Sequence, residues 1–71
     1  MKAYIQAKSK KSLNERLCFN EDVQAVLYGF TTTYLSIHEL PKGCVISIFE
    51  KYVNGSPYAK AYGIWDGTKV K

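Results

Sequence analysis

The sequence predicts an α+β fold, with one short helix packed on a curved antiparallel sheet of about four strands in the order β-α-β-β-β. Three observations carry this expectation. Residues 44–65 read CVISIFEKYV-NG-SPYAKAYGIW, two β-rich runs around an Asn-Gly pair. Residues 2–8 alternate apolar and polar side chains, as a half-buried strand does. Between them, Ser12-Leu13-Asn14-Glu15 has the form of a capping box and marks one helix start. A small SH3-like or OB-like partial barrel is the second architecture that so many short strands allow.

The first strand places Met1, Ala3, Ile5 and Ala7 inward and Lys2, Tyr4, Gln6 and Lys8 outward. In the helix, Ser12 is expected as N-cap, with Glu15 reaching back to its amide. Leu13 and Leu17 give one apolar stripe, and Asn20 suits the left-handed conformation at the helix end. A helix this short depends on packing for its stability.

Residues 23–30 fit two templates: Val23, Ala25, Leu27 and Gly29 alternate as in a strand, while Val23, Val26, Leu27 and Phe30 fit a helical face. The strand is preferred, because β-branched residues and tyrosine are frequent and the window is short. Residues 31–37 (TTTYLSI) form a clearer strand. Leu40-Pro41-Lys42-Gly43 then reads as a turn with Pro41 at its second position.

In the hairpin, Asn54 and Gly55 supply the two positive-φ residues of a type I′ turn, so Val53 opposes Ser56. One face collects Ile46, Ile48, Glu50 and Tyr52 against Trp65, Gly63, Ala61 and Ala59, with small residues that let a helix approach. The other collects Val45, Ser47, Phe49, Lys51 and Val53 against Ile64, Tyr62, Lys60 and Tyr58, and is partly wet. A four-residue loop would set Lys51 opposite Lys60, so the shorter loop is expected. Asp66-Gly67 ends the second strand and opens one further short pairing through Thr68 and Val70.

At 71 residues the chain is expected to be a single domain, residues 1–71, with one modest core, for which homodimerisation would be an ordinary remedy. Apolar residues make up 46% and charged residues 23%, which is globular rather than disordered. There is no run of apolar residues long enough to span a bilayer, and no leader pattern follows Met1, so a soluble, cytoplasmic protein with no membrane partner is predicted. Cys18 and Cys44 are then reduced thiols.

No motif points to an enzyme, a cofactor or a metal. His38, the single histidine, adjoins Glu39 near the Pro41 turn and reads as a surface residue. Cys18, Cys44 and His38 lack the close spacing of zinc ligand pairs. The net charge of +4 permits an anionic partner without demanding one. Lys8, Lys10 and Lys11 precede the helix start and are a candidate anion contact. The constellation with functional colour is Lys51, Tyr58, Lys60 and Tyr62, with Lys2 and Tyr4 as candidate neighbours on the first strand. Tyrosine offers large contact area at little entropic cost, so this face suits a protein partner. Bases stacking on tyrosine with phosphates on lysine make single-stranded nucleic acid the alternative, though arginine, the better fork for phosphate, occurs once, at Arg16. The predicted function is a small non-enzymatic binding module, an accessory or regulatory protein acting on a larger protein.

Overall fold

A computed structural model describes residues 1–27 and 33–71 of the chain, the backbone alone for residues 33–35. It is an α+β fold of one helix and an open sheet. The elements are β1 (Lys2–Gln6), α1 (Lys10–Cys18), β2 (Gln24–Leu27), β3 (Thr33–Ser36), a 3₁₀ turn at Ile37–Glu39, β4 (Val45–Val53) and β5 (Ser56–Ile64). The strands lie in the order β3-β2-β1-β4-β5. Among the described residues there are therefore five strands, with β3 and β5 at the edges of an open sheet that does not close into a barrel.

Most neighbours pair antiparallel, as expected, but β1 runs parallel to β4, with Tyr4 beside Ser47 and Gln6 beside Phe49. A parallel neighbour needs a long crossover, and here α1, β2 and β3 all lie within it. The first strand thereby becomes the centre of the sheet. Its alternation is as read from Lys2 onward, with Ala3 and Ile5 fully buried and Lys2 and Gln6 exposed, but Met1, expected inward, lies before the strand begins and is 65% exposed.

The helix starts one turn earlier than expected. Ser9, not Ser12, is the N-cap: its side chain accepts from the Ser12 amide at 3.1 Å, and the Ser12 hydroxyl oxygen accepts from the Ser9 amide at 3.1 Å. Two boxes overlap in the sequence, and the earlier one adds a turn of backbone hydrogen bonds before Leu13 reaches the core. The far end matches the expectation: Asn20 adopts φ 58° just beyond the helix. Leu13 and Leu17 bury the apolar stripe.

Residues 24–27 form a strand, which decides the ambiguity there in favour of the period-two reading. The remainder of the two strands expected at 23–30 and 31–37 falls partly on residues 28–32, outside the described residues. The turn after Leu40 is shifted by one: the Cys44 amide donates to the Pro41 carbonyl at 3.2 Å, so Lys42 and Gly43 are its central residues and Pro41 is its first. Gly43, at φ 92°, supplies the positive φ this frame requires.

The hairpin has the two-residue loop, with Asn54 at φ 52°, Gly55 at φ 80° and Val53 opposite Ser56. Its middle departs from ideal alternation. The register shifts between Ile48 and Phe49 and again between Phe49 and Tyr52, so Phe49 pairs with Ala59. Such bulges offset the side-chain period locally. Tyr52, expected beside Ile46 and Ile48, instead meets the Phe49 ring edge-on at 5.0 Å.

Past Trp65 the chain folds back. Ile64 and Lys71 exchange two backbone hydrogen bonds of 3.0 and 2.9 Å, and Trp65 bridges Val70. Asn14 on α1 holds this return: its Nδ2 donates to the Val70 carbonyl at 2.7 Å, and its Oδ1 accepts from the Val70 amide at 2.9 Å. At Gly63 the small-residue side of β5 is thus covered by Val70 and Lys71 of the returning chain, with the Lys10 stem beside them. A Cβ on Gly63 would collide with Val70 Cγ1 and lie 2.9 Å from the Lys71 carbonyl oxygen and 3.1 Å from the Lys10 stem.

Candidate functional site

The sheet has two unlike faces. Ala3, Ile5, Ala25, Ile46, Ile48 and Trp65 lie in the core cluster with α1. The opposite face follows from the strand register. Across β1, β4 and β5 one row is Tyr4, Ser47 and Tyr62, and another is Lys2, Val45 and Ile64. Lys2 and Tyr4, assigned to this face as candidates by alternation alone, therefore adjoin the hairpin, because β1 neighbours β4.

Along β5, Tyr58, Lys60 and Tyr62 point outward between the half-buried Ala59 and Ala61. Tyr58 is 73% exposed and Tyr62 64%. Such large rings left in water on a paired strand are a ready contact surface. Lys51, Tyr58 and Lys60 line one open groove of about 470 Å³, together with Glu50, Val53 and Ala59. Tyr62 lies outside this groove, further along the strand. Lys60 is not a free cation: its Nζ pairs with Glu50 Oε2 at 3.2 Å. Both side chains are about half exposed, so the pair contributes little stability.

The outer edge of β5 is blunted. Ile64 is taken by Lys71, Pro57 has no amide proton, and the bulge beside Lys60 disturbs the ladder. Strand addition by a partner is disfavoured there, and contact through the face is favoured.

A second concavity, of about 590 Å³, lies at the end of the sheet where β1 finishes and β2 begins. Phe49 and Val26, 2% and 6% exposed, form its floor, with Tyr4 and Tyr52 beside them. Gln6 and Gln24 bring amides from neighbouring strands, and Arg16 and Asp22 bring opposite charges from the last turn of α1 and the loop after it. Sequence reasoning missed this site. Tyr52 joins it only through the bulge, and Arg16 and Asp22 come from outside the hairpin. The one signal within reach was Phe49, a large apolar residue on the face read as partly wet.

The three lysines proposed as an anion contact are not assembled into a pocket. Lys8 and Lys11 are exposed, while the Lys10 stem packs over Gly63. Ser9 already satisfies the Ser12 amide at the helix start. His38 stands edge-on to the buried Trp65 ring, with centroids 6.0 Å apart. Cys18 is exposed and Cys44 buried, both as free thiols. Burial pushes the Cys44 thiol up, with the positive N-terminus opposing it more weakly, which keeps it protonated and inert. Among the described residues no group of three or more His, Cys, Asp or Glu is placed to hold a metal ion, and no helix is long and apolar enough to cross a membrane.

Comparison of the chain with protein-family models, curated proteins and solved structures gives no match.

Proposed function

We propose that this chain is a small non-enzymatic binding module of the cytoplasm, an accessory or regulatory protein that docks on a larger protein through Lys51, Tyr58, Lys60 and Tyr62. The observation that carries this reading is the exposure of Tyr58 and Tyr62 on a strand whose other side is anchored in the core. Two exposed tyrosine rings on one strand supply a residue type that is enriched in protein interfaces. The blunted β5 edge supports docking by the face rather than by an added strand.

A second reading, single-stranded nucleic acid, is favoured by one observation: the β1–β4 pairing extends the tyrosine and lysine surface to Lys2 and Tyr4. The engagement of Lys60 with Glu50 weighs against it, since that ammonium already has a carboxylate partner.

The test begins with capture of partners from lysate on the immobilised chain. Each candidate is then purified and titrated against the parent and against the Tyr58→Ala/Tyr62→Ala variant. The variant is expected to keep the parent's melting temperature and to bind about 100-fold more weakly, a loss of the size seen when aromatic anchors are truncated. Equal affinity would remove this face from the interface. A fall in single-strand affinity with salt, abolished by the same variant, would favour the nucleic-acid reading. Light scattering decides whether a second copy is itself the partner.

A further inference from the structure

The three strands β1, β4 and β5 carry an uneven charge. Their charged residues are Lys2, Lys51 and Lys60 against Glu50 alone, and the acids Glu15, Glu21, Asp22, Glu39 and Asp66 all lie elsewhere in the chain. Two of the lysines meet at the groove of about 470 Å³, where Lys51 and Lys60 flank the exposed Tyr58 and Val53. Glu50 sets one carboxylate against Lys60, at 3.2 Å, and Lys51 takes part in no ion pair among the described residues. The groove therefore holds a single carboxylate for two ammonium groups.

The same part of the hairpin stands clear of the rest of the sheet. β1 pairs with β4 only as far as Phe49, and Glu50, Lys51, Tyr52 and Val53 are then exposed in succession, so the arm beyond Phe49 is covered on neither face among the described residues. A two-stranded ribbon by itself is marginal in water and gains from being covered. The outward residues of β5 have a regular period. Tyr58, Lys60 and Tyr62 recur at every second residue, about 6.6 Å apart on one side of the strand. Side chains on one side of any extended segment share that period. An extended segment laid along β5 thus meets tyrosine, lysine and tyrosine with three successive same-side residues, which are best apolar, acidic and apolar.

We infer that the occupant of this face is an acidic, extended segment of a protein partner, with a carboxylate at Lys60 and Lys51 and apolar side chains on Tyr58 and Tyr62. The inference rests on the protein-partner reading and adds to it the chemistry of the partner. Charge complementarity selects this occupant. A second copy laid face to face would bring Lys51 and Lys60 against the same lysines. A nucleic-acid strand carries the right sign, but the planar fork that suits phosphate is lacking here, since the one arginine, Arg16, lies on α1.

Two synthetic peptides are titrated into the full chain and followed by amide NMR shifts. In one, leucine and glutamate alternate with serine between them; in the other, glutamine replaces glutamate. A single-stranded oligothymidylate is run beside them. The glutamate peptide should saturate in the millimolar range or tighter, with shifts centred on Lys51, Tyr58 and Lys60, and the glutamine peptide should bind about tenfold more weakly. Lys51→Glu and Lys60→Glu, both at exposed positions, should each weaken the glutamate peptide about tenfold at an unchanged melting temperature. Glu50→Gln releases Lys60 and should tighten it, an effect that damage to the fold would not produce. Equal binding of the two peptides, lost in Tyr58→Ala/Tyr62→Ala, overturns the acidic segment and leaves the protein-partner reading standing. Tighter saturation of the same amides by the oligothymidylate overturns both in favour of a strand. A dimer that keeps the peptide from these amides overturns the inference in favour of a second copy. Absence of saturation with either peptide overturns it as well, while capture from lysate decides the broader reading separately.

Discussion

At the scale of single residues, Asp66 organises more of the chain end than its position in a turn suggests. One carboxylate oxygen accepts from the Thr68 amide at 2.8 Å and from the Lys69 amide at 2.7 Å, and Lys71 stands 3.7 Å from the other. The two backbone hydrogen bonds, chiefly that from Lys69, hold the Asp66 carboxyl below its ordinary value, with the lysines adding a smaller pull. A folded-state pKa that is depressed contributes stability above the unfolded value, and this is lost as pH falls towards the folded one. The parent should therefore lose melting temperature as pH drops below about 4, the ordinary aspartate range. Asp66→Asn keeps an acceptor but cannot titrate, so its melting temperature should fall less over the same range. Parallel curves for the two proteins would show that Asp66 stabilises nothing through its charge. The stake is larger than one turn, because this turn delivers Val70 to Asn14 and Lys71 to Ile64.

At the scale of elements, α1 separates what the sequence makes legible from what it hides. Two Ser-led boxes, Ser9 to Ser12 and Ser12 to Glu15, share one stretch, and local pattern alone does not rank them. The structure uses the first, so Ser9→Ala should cost about 1 kcal/mol while Glu15→Ala should cost far less. Urea midpoints of the two variants check this, and a larger loss from Glu15→Ala would restore the later cap. Strand alternation was readable at β1 and along β5 because one face of each is buried and the other wet. The type I′ loop was readable because positive φ at Asn54 and Gly55 is a local demand. By contrast, the bulge at Phe49, the parallel β1–β4 pairing and the Asn14–Val70 clamp depend on partners remote in the chain, and no local pattern encodes them. The candidate face divides in the same way. Tyr58, Lys60 and Tyr62 follow from one strand's period, whereas the Phe49 cavity exists only where four separate segments meet.

For the whole molecule, the decisive fact is that the N-terminal strand is central. With β1 flanked by β2 and β4, the sheet is held as a unit by a strand that belongs to neither hairpin. Ile5 is fully buried at its middle, in the same cluster as Leu13, Ile48 and Trp65. Truncating a buried isoleucine to alanine removes apolar contacts and leaves a cavity, at about 2–5 kcal/mol. A single core in a chain of this length supplies about 3–5 kcal/mol in total. The two quantities are of the same size, so Ile5→Ala should lose cooperative unfolding or shift its urea midpoint close to zero. Ile5→Val removes one methylene, at about 0.5–1.5 kcal/mol, and should stay folded with a lower midpoint. Because β1 also carries Tyr4 and Gln6, the loss should reach the Phe49 cavity and the β4–β5 face together. Tyrosine exposure and amide exchange in Ile5→Ala should thus change at Tyr58 and Tyr62 as well as near residue 5. An Ile5→Ala protein with a protected, native-like hairpin would show that the hairpin folds without its central strand. The candidate binding face would then be an autonomous unit and not a product of the whole sheet.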